Sequence, residues 1–367
     1  MLDHGTFFLP GPTEVRPEIL QQMARPMLPH RSVAFEDIYA RCDAGLRPIF
    51  RTARPVYIAT ASATGMMEGA IRCAPGGTVL SLVNGAFSER FAQVALSCGR
   101  TVVRDDVPLG LHHTPEQVAA LLQSTGARTV TLTHSETSTG ALNDIEGIAR
   151  VVHENGAVIL VDSVTGLAGA RLETDACNLD FAFTGSQKAL ALPPGLALGM
   201  ASEQFIHAAA GNSDRGTYFD LVEFEKYAVK NQTPSTPAIS LFYALAEQVE
   251  FVAMEGIEAR WDRHLRMQAM TVAWVAQLHG ELHPDFGVLA PESARSPTVT
   301  CVTLPEILKG SGVAAAVAAH GFVIGAGYGP LRDSTIRIGH MGDHAEAGLQ
   351  RCLDTVRSCL EAMLRTT

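Results

Sequence analysis

The sequence lacks any apolar run approaching the ~18 residues that a membrane-spanning helix needs, so no membrane span is expected. It also lacks an excess of basic residues. Lys and Arg number 28 against 38 Asp and Glu, a formal net charge of -10. Nucleic acids and anionic membranes are bound through surplus positive charge, so neither is an expected partner, although a local cationic pocket is compatible with the total. No two cysteines form a CxxC pair, and the seven present (Cys42, Cys73, Cys98, Cys177, Cys301, Cys352 and Cys359) are an odd number. That usage speaks against a disulfide framework and for reduced thiols in a cytoplasmic protein. Met1-Leu-Asp-His-Gly-Thr6 shows no basic stretch leading into an apolar one, so no signal peptide is expected. There is no internal repeat and no low-complexity segment. What the chain does have is 367 residues, 47% of them hydrophobic and 18% charged. That suffices for a large core, in one large domain plus a smaller one.

The order of patterns points to an α/β architecture. Phe7 to Arg16 is punctuated by Pro and Gly and reads as an extended arm, with a helix from Pro17. Strands are predicted at 56–60, 78–83, 101–103, 129–134, 157–161, 181–184 and 196–200. Helical patterns at 66–71, 88–98, 115–123 and 145–155 lie between them. Continuous apolar strands alternating with amphipathic helices indicate βα units and a mostly parallel, buried sheet. Beyond about residue 235 the pattern changes to long helices (238–254 and 256–279, broken at Gly256). Strands at 298–304, 322–324 and 335–338 follow, with helices at 313–319 and 343–364. The expected division is an arm over 1–15, a large domain over 16–255 and a smaller α+β domain over 256–367.

Several residues stand out against this frame. Lys188 lies in Phe183-Thr-Gly-Ser-Gln-Lys188-Ala-Leu-Ala-Leu-Pro-Pro-Gly195, surrounded by small, amide and apolar neighbours. Such a setting lowers a lysine's pKa and makes it a nucleophile and base. Upstream, Ala157-Val-Ile-Leu-Val-Asp162 ends a buried-strand pattern in an acid, which is costly to bury without a cationic partner. That partner is a protonated pyridine nitrogen, or else Asp162 caps a helix. A lysine in a small-residue turn downstream of such an acid suits pyridoxal phosphate (PLP). The amine binds the cofactor aldehyde and the acid keeps its ring cationic.

Ser62-Ala63-Thr64-Gly65, between a strand and a helix, suits a phosphate at the helix's positive end or forms an ordinary turn. Phe87 in Asn84-Gly-Ala-Phe-Ser88 stacks on a ring or fills the core. His134-Ser-Glu-Thr-Ser-Thr-Gly140 places hydroxyls at a strand's C-terminal end, where parallel sheets carry ligand sites. Lys230-Asn-Gln-Thr-Pro-Ser-Thr-Pro-Ala238 opens a long helix and either meets a phosphate or caps that helix. Arg337, inside the alternating Ser334-Thr-Ile-Arg-Ile-Gly-His340, wants an anion: a substrate carboxylate or a structural ion-pair partner.

Taken in order, these segments resemble the class V PLP-dependent aminotransferases, of PLP fold type I, and within them the alanine–glyoxylate/serine–pyruvate branch. The likeness runs from Leu9-Pro-Gly-Pro-Thr13 to Arg337-Ile-Gly339. It is most specific in His134 to Gly140, Val161-Asp-Ser-Val164 and Gly185-Ser-Gln-Lys-Ala-Leu190 with Pro193-Pro-Gly195. The resemblance implies a large domain with a mostly parallel seven-stranded sheet between helices, PLP as cofactor and no metal. It implies Lys188 as the Schiff-base lysine, Asp162 as the ring-nitrogen partner and Phe87 and Val164 on the two ring faces. Ser62, Ala63 and Thr64 then form the phosphate cup, with Gln187 beside it. Thr137 or Ser138 meets the cofactor's 3-oxygen. Gln232 and Thr233 reach the phosphate from a neighbouring subunit of a homodimer. Gly11 lines the substrate pocket and Arg337 clamps the α-carboxylate.

Two departures bear on substrate. Ala63 stands where the branch often has glycine, which is tolerable if its φ is negative. The Gln232 segment and His30-Arg31-Ser32 resemble phosphoserine aminotransferases, in which the latter segment contacts a substrate phosphate. The expected reaction moves an amino group from alanine or serine to glyoxylate or pyruvate by a ping-pong route. Phosphoserine or another phospho- or phosphono-amine is the alternative donor. Desulfurase or lyase chemistry is disfavoured because Gln187 precedes Lys188 and Cys301 sits in a strand pattern. A non-enzymatic regulatory role is disfavoured by the acidic charge. The Gly325-Ala-Gly-Tyr-Gly329 run reads as a turn beside the substrate pocket rather than a nucleotide loop.

Overall fold

Seven strands form the central sheet of the computed structural model, which describes residues 1–366. Their spatial order is Tyr57–Thr60, Leu196–Ala201, Phe181–Gly185, Val158–Asp162, Thr129–Thr133, Val79–Val83 and Val102–Asp106. Leu196–Ala201 runs antiparallel to both neighbours; the other pairings are parallel. Four of the inner strands are buried along their whole length, their apolar residues interrupted only by small hydroxyl side chains such as Ser81, Thr129, Thr131 and Thr133 and by glycine. Val102–Asp106 is one of the two edge strands, and its exposed Arg104 and Asp106 extend it beyond the residues 101–103 that the sequence pattern marks.

Helices cover the sheet. Ala63–Cys73, Ala86–Ser97, Pro115–Thr125 and Ile145–Glu154 each follow a strand. Pro115–Thr125 starts at a full capping box between Thr114 and Gln117, and Ile145–Glu154 starts where the Asp144 carboxylate accepts from the Gly147 N–H. Three helices go beyond those expected: Val33–Phe50, Glu203–Ala210 and Leu221–Ala228. Val33–Phe50 carries Pro48 near its end and packs on Ile239–Glu255 through Phe35, Tyr39 and Phe242.

The chain then runs through Ile239–Glu255 and Ile257–Glu281, separated at Gly256, whose φ of +82° breaks the helix. A second sheet has the order Phe7–Phe8, Val323–Ala326, Thr335–Gly339, Val299–Thr303, Gly287–Val288. The N-terminal segment, read as an extended arm, is tied to this sheet. Phe7 and Phe8 pair in parallel with Val323 and Ile324, and Phe8 is buried in the apolar cluster under this sheet. Burying that aromatic ring outweighs leaving the segment solvated.

A buried charge network ties the N-terminal segment, the long helices and the Lys188 turn together. Asp343 accepts from Arg16 at 2.6 Å and from Arg260 at 2.9 Å, which hold its carboxyl well below the usual carboxylate range. Arg260 also donates to the carbonyl of Ala189, next to Lys188, at 2.7 Å. Among the described residues no helix is long and apolar enough to cross a membrane.

Candidate active site

The C-terminal ends of the parallel strands open on a cavity of about 160 Å³, at the edge where parallel sheets carry their ligand sites. Its walls include Ser62, Ala63, Thr64, Phe87, Thr137, Asp162, Val164, Gln187 and Lys188, nine residues singled out from the sequence. They reach one place because Val158–Asp162 delivers Asp162 at its last position, while the turns after Tyr57–Thr60 and Phe181–Gly185 deliver Ser62 and Lys188.

Lys188 is only 6% exposed. Its ammonium donates to the carbonyl of Pro10 and lies 5.7 Å from the centre of the Phe87 ring. Burial, reinforced by Arg337, pulls its pKa down to about 7, against the pull of Asp162 and Glu136. Asp162 is 2% exposed, and one of its oxygens accepts the N–H of Val164 at 2.8 Å. Burial lifts its pKa to about 7 despite that hydrogen bond. Among the described residues no ion pair reaches the Asp162 carboxylate. Behind it, His134 accepts or donates at 2.9 Å with the Ser163 hydroxyl, and burial lowers its pKa to about 4, so it is neutral at ordinary pH.

Ser62 is the N-cap of Ala63–Cys73 but makes no capping hydrogen bond, so the positive end of that helix faces the cavity without a side-chain cap. Ala63 is helical, and its φ is not among the positive ones, which meets the condition for replacing glycine there. Of the pair Thr137 and Ser138, Thr137 lines the cavity and bonds Thr165. Ser138 does not line it. Its hydroxyl lies 2.7 Å from Glu136 and accepts the N–H of Ala86, because Glu136 is buried and needs donors.

Gly11 packs against Lys188. A β-carbon there would lie 2.4 Å from the lysine Cδ, and its φ of +94° is one that other residues adopt at a cost. Arg337 donates to the carbonyls of Ala326 at 3.0 Å and Thr137 at 3.3 Å and lies over the Tyr328 ring. It has no carboxylate partner among the described residues, which removes the structural ion pair that its pattern left open. Burial lowers its pKa.

Three expected residues gather elsewhere. Arg31 donates to the Gln232 side chain at 3.2 Å, to the carbonyl of Thr233 at 2.8 Å and to that of Pro234, and it lies over Tyr227. The Thr233 hydroxyl is spent on the carbonyl of Ser235, and the Gln232 amide on Glu36. None of the three lines the Lys188 cavity of its own chain.

Sequence reasoning passed over Arg90 and Glu136. Arg90 lines the cavity, lies 5.3 Å from the Phe87 ring centre and forms no ion pair among the described residues. Its i+3 spacing from Phe87 on a helix was the available signal. Glu136, fully buried in the hydroxyl-rich segment, is discoverable by the logic applied to Asp162: a buried acid implies a set of donors.

The residues present fit the cofactor that the resemblance implies. A buried carboxylate without a cationic partner, a buried amine of lowered pKa and an uncapped helix start share one cavity. They suit a group with a protonatable ring nitrogen, an aldehyde and a phosphate, and an aromatic ring and Val164 border the space between.

Comparison with known proteins gives the same picture. The family described as aminotransferase class-V matches residues 21–331. An uncharacterized aminotransferase of Methanocaldococcus jannaschii is 37% identical over 97% of this chain and 92% of its own length. A serine–glyoxylate aminotransferase of Methylorubrum extorquens is 30% identical over 93% of this chain and 87% of its own. Among solved structures, a subgroup IV aspartate aminotransferase from Thermus thermophilus superposes with a TM-score of 0.89 at 33% identity, covering 98% of this chain and 100% of the other.

Proposed function

Because this chain belongs to the class-V aminotransferases and is a PLP-dependent enzyme of fold type I, we propose that it moves the amino group of a small amino acid, alanine or serine, to glyoxylate or pyruvate. The observation that carries this reading is the pairing of Lys188 and Asp162 in one cavity, each buried with its charged form disfavoured and neither ion-paired to the other. When bound, the cofactor supplies an aldehyde that condenses with amines and a ring that accepts electrons.

The chain's own groups do the rest. Lys188 Nζ, with its pKa near neutrality, holds the cofactor between turnovers. Once free, it takes the proton from the substrate's α-carbon. Asp162 holds positive charge on the ring nitrogen. Phe87 and Val164 keep the ring between them, with Thr137 beside it. The start of Ala63–Cys73, with Ser62, Thr64 and Gln187, takes the phosphate. Arg337 grips the α-carboxylate, which orients the α-hydrogen toward Lys188 and keeps the substrate's charge out of water. The donor and acceptor use one site in turn, so the kinetics are ping-pong.

The site is completed by a second copy of the chain. Arg31, Gln232 and Thr233 lie together apart from the cavity, Arg31 exposed, Gln232 half-buried and Thr233 buried, and near them in sequence Met27, Val33 and Val229 are exposed. Apolar exposure of that kind suits a covered surface, and the patch then supplies polar groups to the partner's phosphate. Arg31, on which the phosphoserine alternative rests, is already occupied by three acceptors.

A second reading, aspartate as donor, is favoured by Arg90. This unpaired guanidinium on the cavity wall suits a distal carboxylate, and the Thermus thermophilus neighbour is named for aspartate. One experiment tests both readings. The PLP-loaded protein is mixed with alanine, serine, aspartate and phosphoserine singly, and conversion of the cofactor to its amino form is followed by absorbance. Conversion by alanine or serine supports the first reading and conversion by aspartate alone the second. Conversion by none of the small donors overturns both.

A further inference from the structure

The buried side chain that the reaction leaves without a task is Glu136. It is fully buried on the two-residue strand Ser135–Glu136, inside the hairpin that also carries Thr137. Its carboxylate accepts the backbone N–H groups of Phe87 at 3.1 Å, Ser88 at 3.0 Å and Ser138 at 3.0 Å. The hydroxyls of Ser88 and Ser138 lie 3.1 and 2.7 Å from it. Phe87 and Ser88 are the second and third residues of Ala86–Ser97, the positions whose N–H groups a capping side chain normally takes.

The residue at the cap position, Gly85, has no side chain to do this. It cannot acquire one, since a β-carbon there would lie 2.4 Å from Glu136 Cγ and 2.5 Å from Ser138 Oγ. The cap therefore comes from 51 positions away in sequence, and this has a geometric consequence. The backbone of Phe87 is fastened to the hairpin that presents Thr137 to the cavity, and the carbonyl of Thr137 accepts from Arg337. Phe87, Thr137 and the carboxylate clamp are thus held in one frame. The negative charge of Glu136 also favours the protonated forms of both Asp162 and Lys188.

We propose that Glu136 is a positioning residue for cofactor binding: it caps the helix Ala86–Ser97 from outside and so fixes the Phe87 ring over the cofactor. The inference rests on the reading of Phe87 as the ring-stacking residue.

The full-length protein, freed of cofactor, is titrated with pyridoxal phosphate. Three signals are followed: visible absorbance, the circular dichroism of the visible band (a report on ring orientation) and the rise in melting temperature on binding. In Glu136→Gln an amide NH2 replaces one acceptor oxygen and faces N–H donors. Affinity is expected to fall at least ~10-fold, with an altered visible dichroism. Phe87→Ala should show the same kind of loss. The double variant should be no worse than Phe87→Ala, since both changes act through one ring.

A purely structural role would lower the melting temperature with and without cofactor equally and leave affinity and dichroism unchanged; that result overturns the proposal. Losses that add fully in the double variant overturn it too. Wild-type behaviour of Phe87→Ala overturns the stacking reading and the proposal with it, whereas impaired Phe87→Ala beside normal Glu136→Gln overturns the proposal alone. If Glu136→Gln does not fold, Ser138→Ala takes its place. It removes one of the five donors and should give a smaller loss of affinity in the same direction; unchanged affinity and dichroism there count against the proposal.

Discussion

Lys188 and Asp162 face one cavity, both almost wholly buried, yet the lysine nitrogen stays more than 4 Å from the Asp162 carboxylate. Two oppositely charged side chains this close in a poorly solvated space would gain by pairing if nothing else competed for them. They are instead held apart, each by its own strand end, and each leans toward its neutral form. The site is arranged for a group that fits between them.

That arrangement makes Asp162 a liability in the cofactor-free chain. Its pKa rises on folding from the ordinary 3.8 to about 7, mainly through burial. An acid whose pKa is raised on folding destabilises the folded state once the unfolded chain ionises. Stability therefore falls as pH climbs from about 4 through 7. Asn at this position still accepts the Val164 N–H. The cofactor-free Asp162→Asn protein should melt at a higher temperature than wild type at pH 8, by a margin worth roughly 1–4 kcal/mol. The margin should vanish near pH 4. Transamination should fall by roughly 10²-fold or more because the ring nitrogen loses its counter-charge. Paired thermal melts and activity assays check both. An unchanged melting temperature at pH 8 would show that the carboxylate is satisfied by other means.

Lys188 gives the complementary pH dependence. Its neutral amine is the form that attacks an aldehyde, and its pKa is lowered from 10.5 to about 7 by burial and then by Arg337. The rate at which cofactor-free protein takes up PLP should rise with pH and level off above about 8. Arg337→Gln removes a nearby positive charge, so Lys188 keeps its proton to higher pH and the midpoint should move upward. The same variant should raise the KM for the amino acid at least ~10-fold through loss of the carboxylate clamp. Lys188→Ala should show no visible band of covalently held cofactor and should lose at least ~10³-fold in turnover. Stopped-flow absorbance across pH resolves the midpoints, and a midpoint near 10 in the wild type would contradict the burial argument.

The α/β order was legible because burial on both faces leaves a plain trace: the strands around Leu160 and Phe183 are apolar runs, and those around Leu82 and Leu132 mix apolar residues only with small hydroxyl ones. Asp162 and Lys188 were legible for the opposite reason, as charges in apolar surroundings. The helix Val33–Phe50 was not, because it carries Pro48 and mixes charged with apolar residues. The pairing of Phe8 with Ile324 was not either, since a two-residue strand joining segments more than 300 positions apart has no local period. The choice between Thr137 and Ser138 was invisible until Glu136 was seen to claim the second hydroxyl. Which partners a buried acid finds is a three-dimensional question, and sequence marks only that it must find some.

Gly11 should tolerate no side chain. A β-carbon would lie 2.4 Å from Lys188 Cδ and 2.7 Å from its nitrogen, and φ at +94° adds backbone strain of about 1–2 kcal/mol for alanine. The lysine end is the flexible party, so it moves. Gly11→Ala should therefore lose at least ~10-fold in turnover, because a small misplacement of a reacting group is costly. The fold should survive with a modest drop in melting temperature. Kinetics beside a thermal melt test this, and full activity would mean that Lys188 has room which the packing denies.

The patch of Arg31, Gln232 and Thr233 leads to a test of shared sites. If these groups serve the partner's cavity, a chain with Gln232→Ala and Thr233→Ala and a chain with Lys188→Ala are both weak, but for reasons that lie in different subunits of each site. In a mixed dimer one site draws Lys188 from the first chain and the intact patch from the second. The other site carries both defects. Random exchange yields about half mixed dimers, so the unseparated mixture should recover roughly one quarter of the wild-type activity and the isolated mixed dimer, with one intact site of two, about one half. The two purified chains, carrying different affinity tags, are mixed under conditions that allow exchange. The mixed species is isolated through both tags and assayed. Recovery needs the patch and the lysine to act across an interface. Isolated mixed dimers that stay as weak as their parents, or a Gln232→Ala/Thr233→Ala chain that is fully active by itself, would place the phosphate contacts within a single chain.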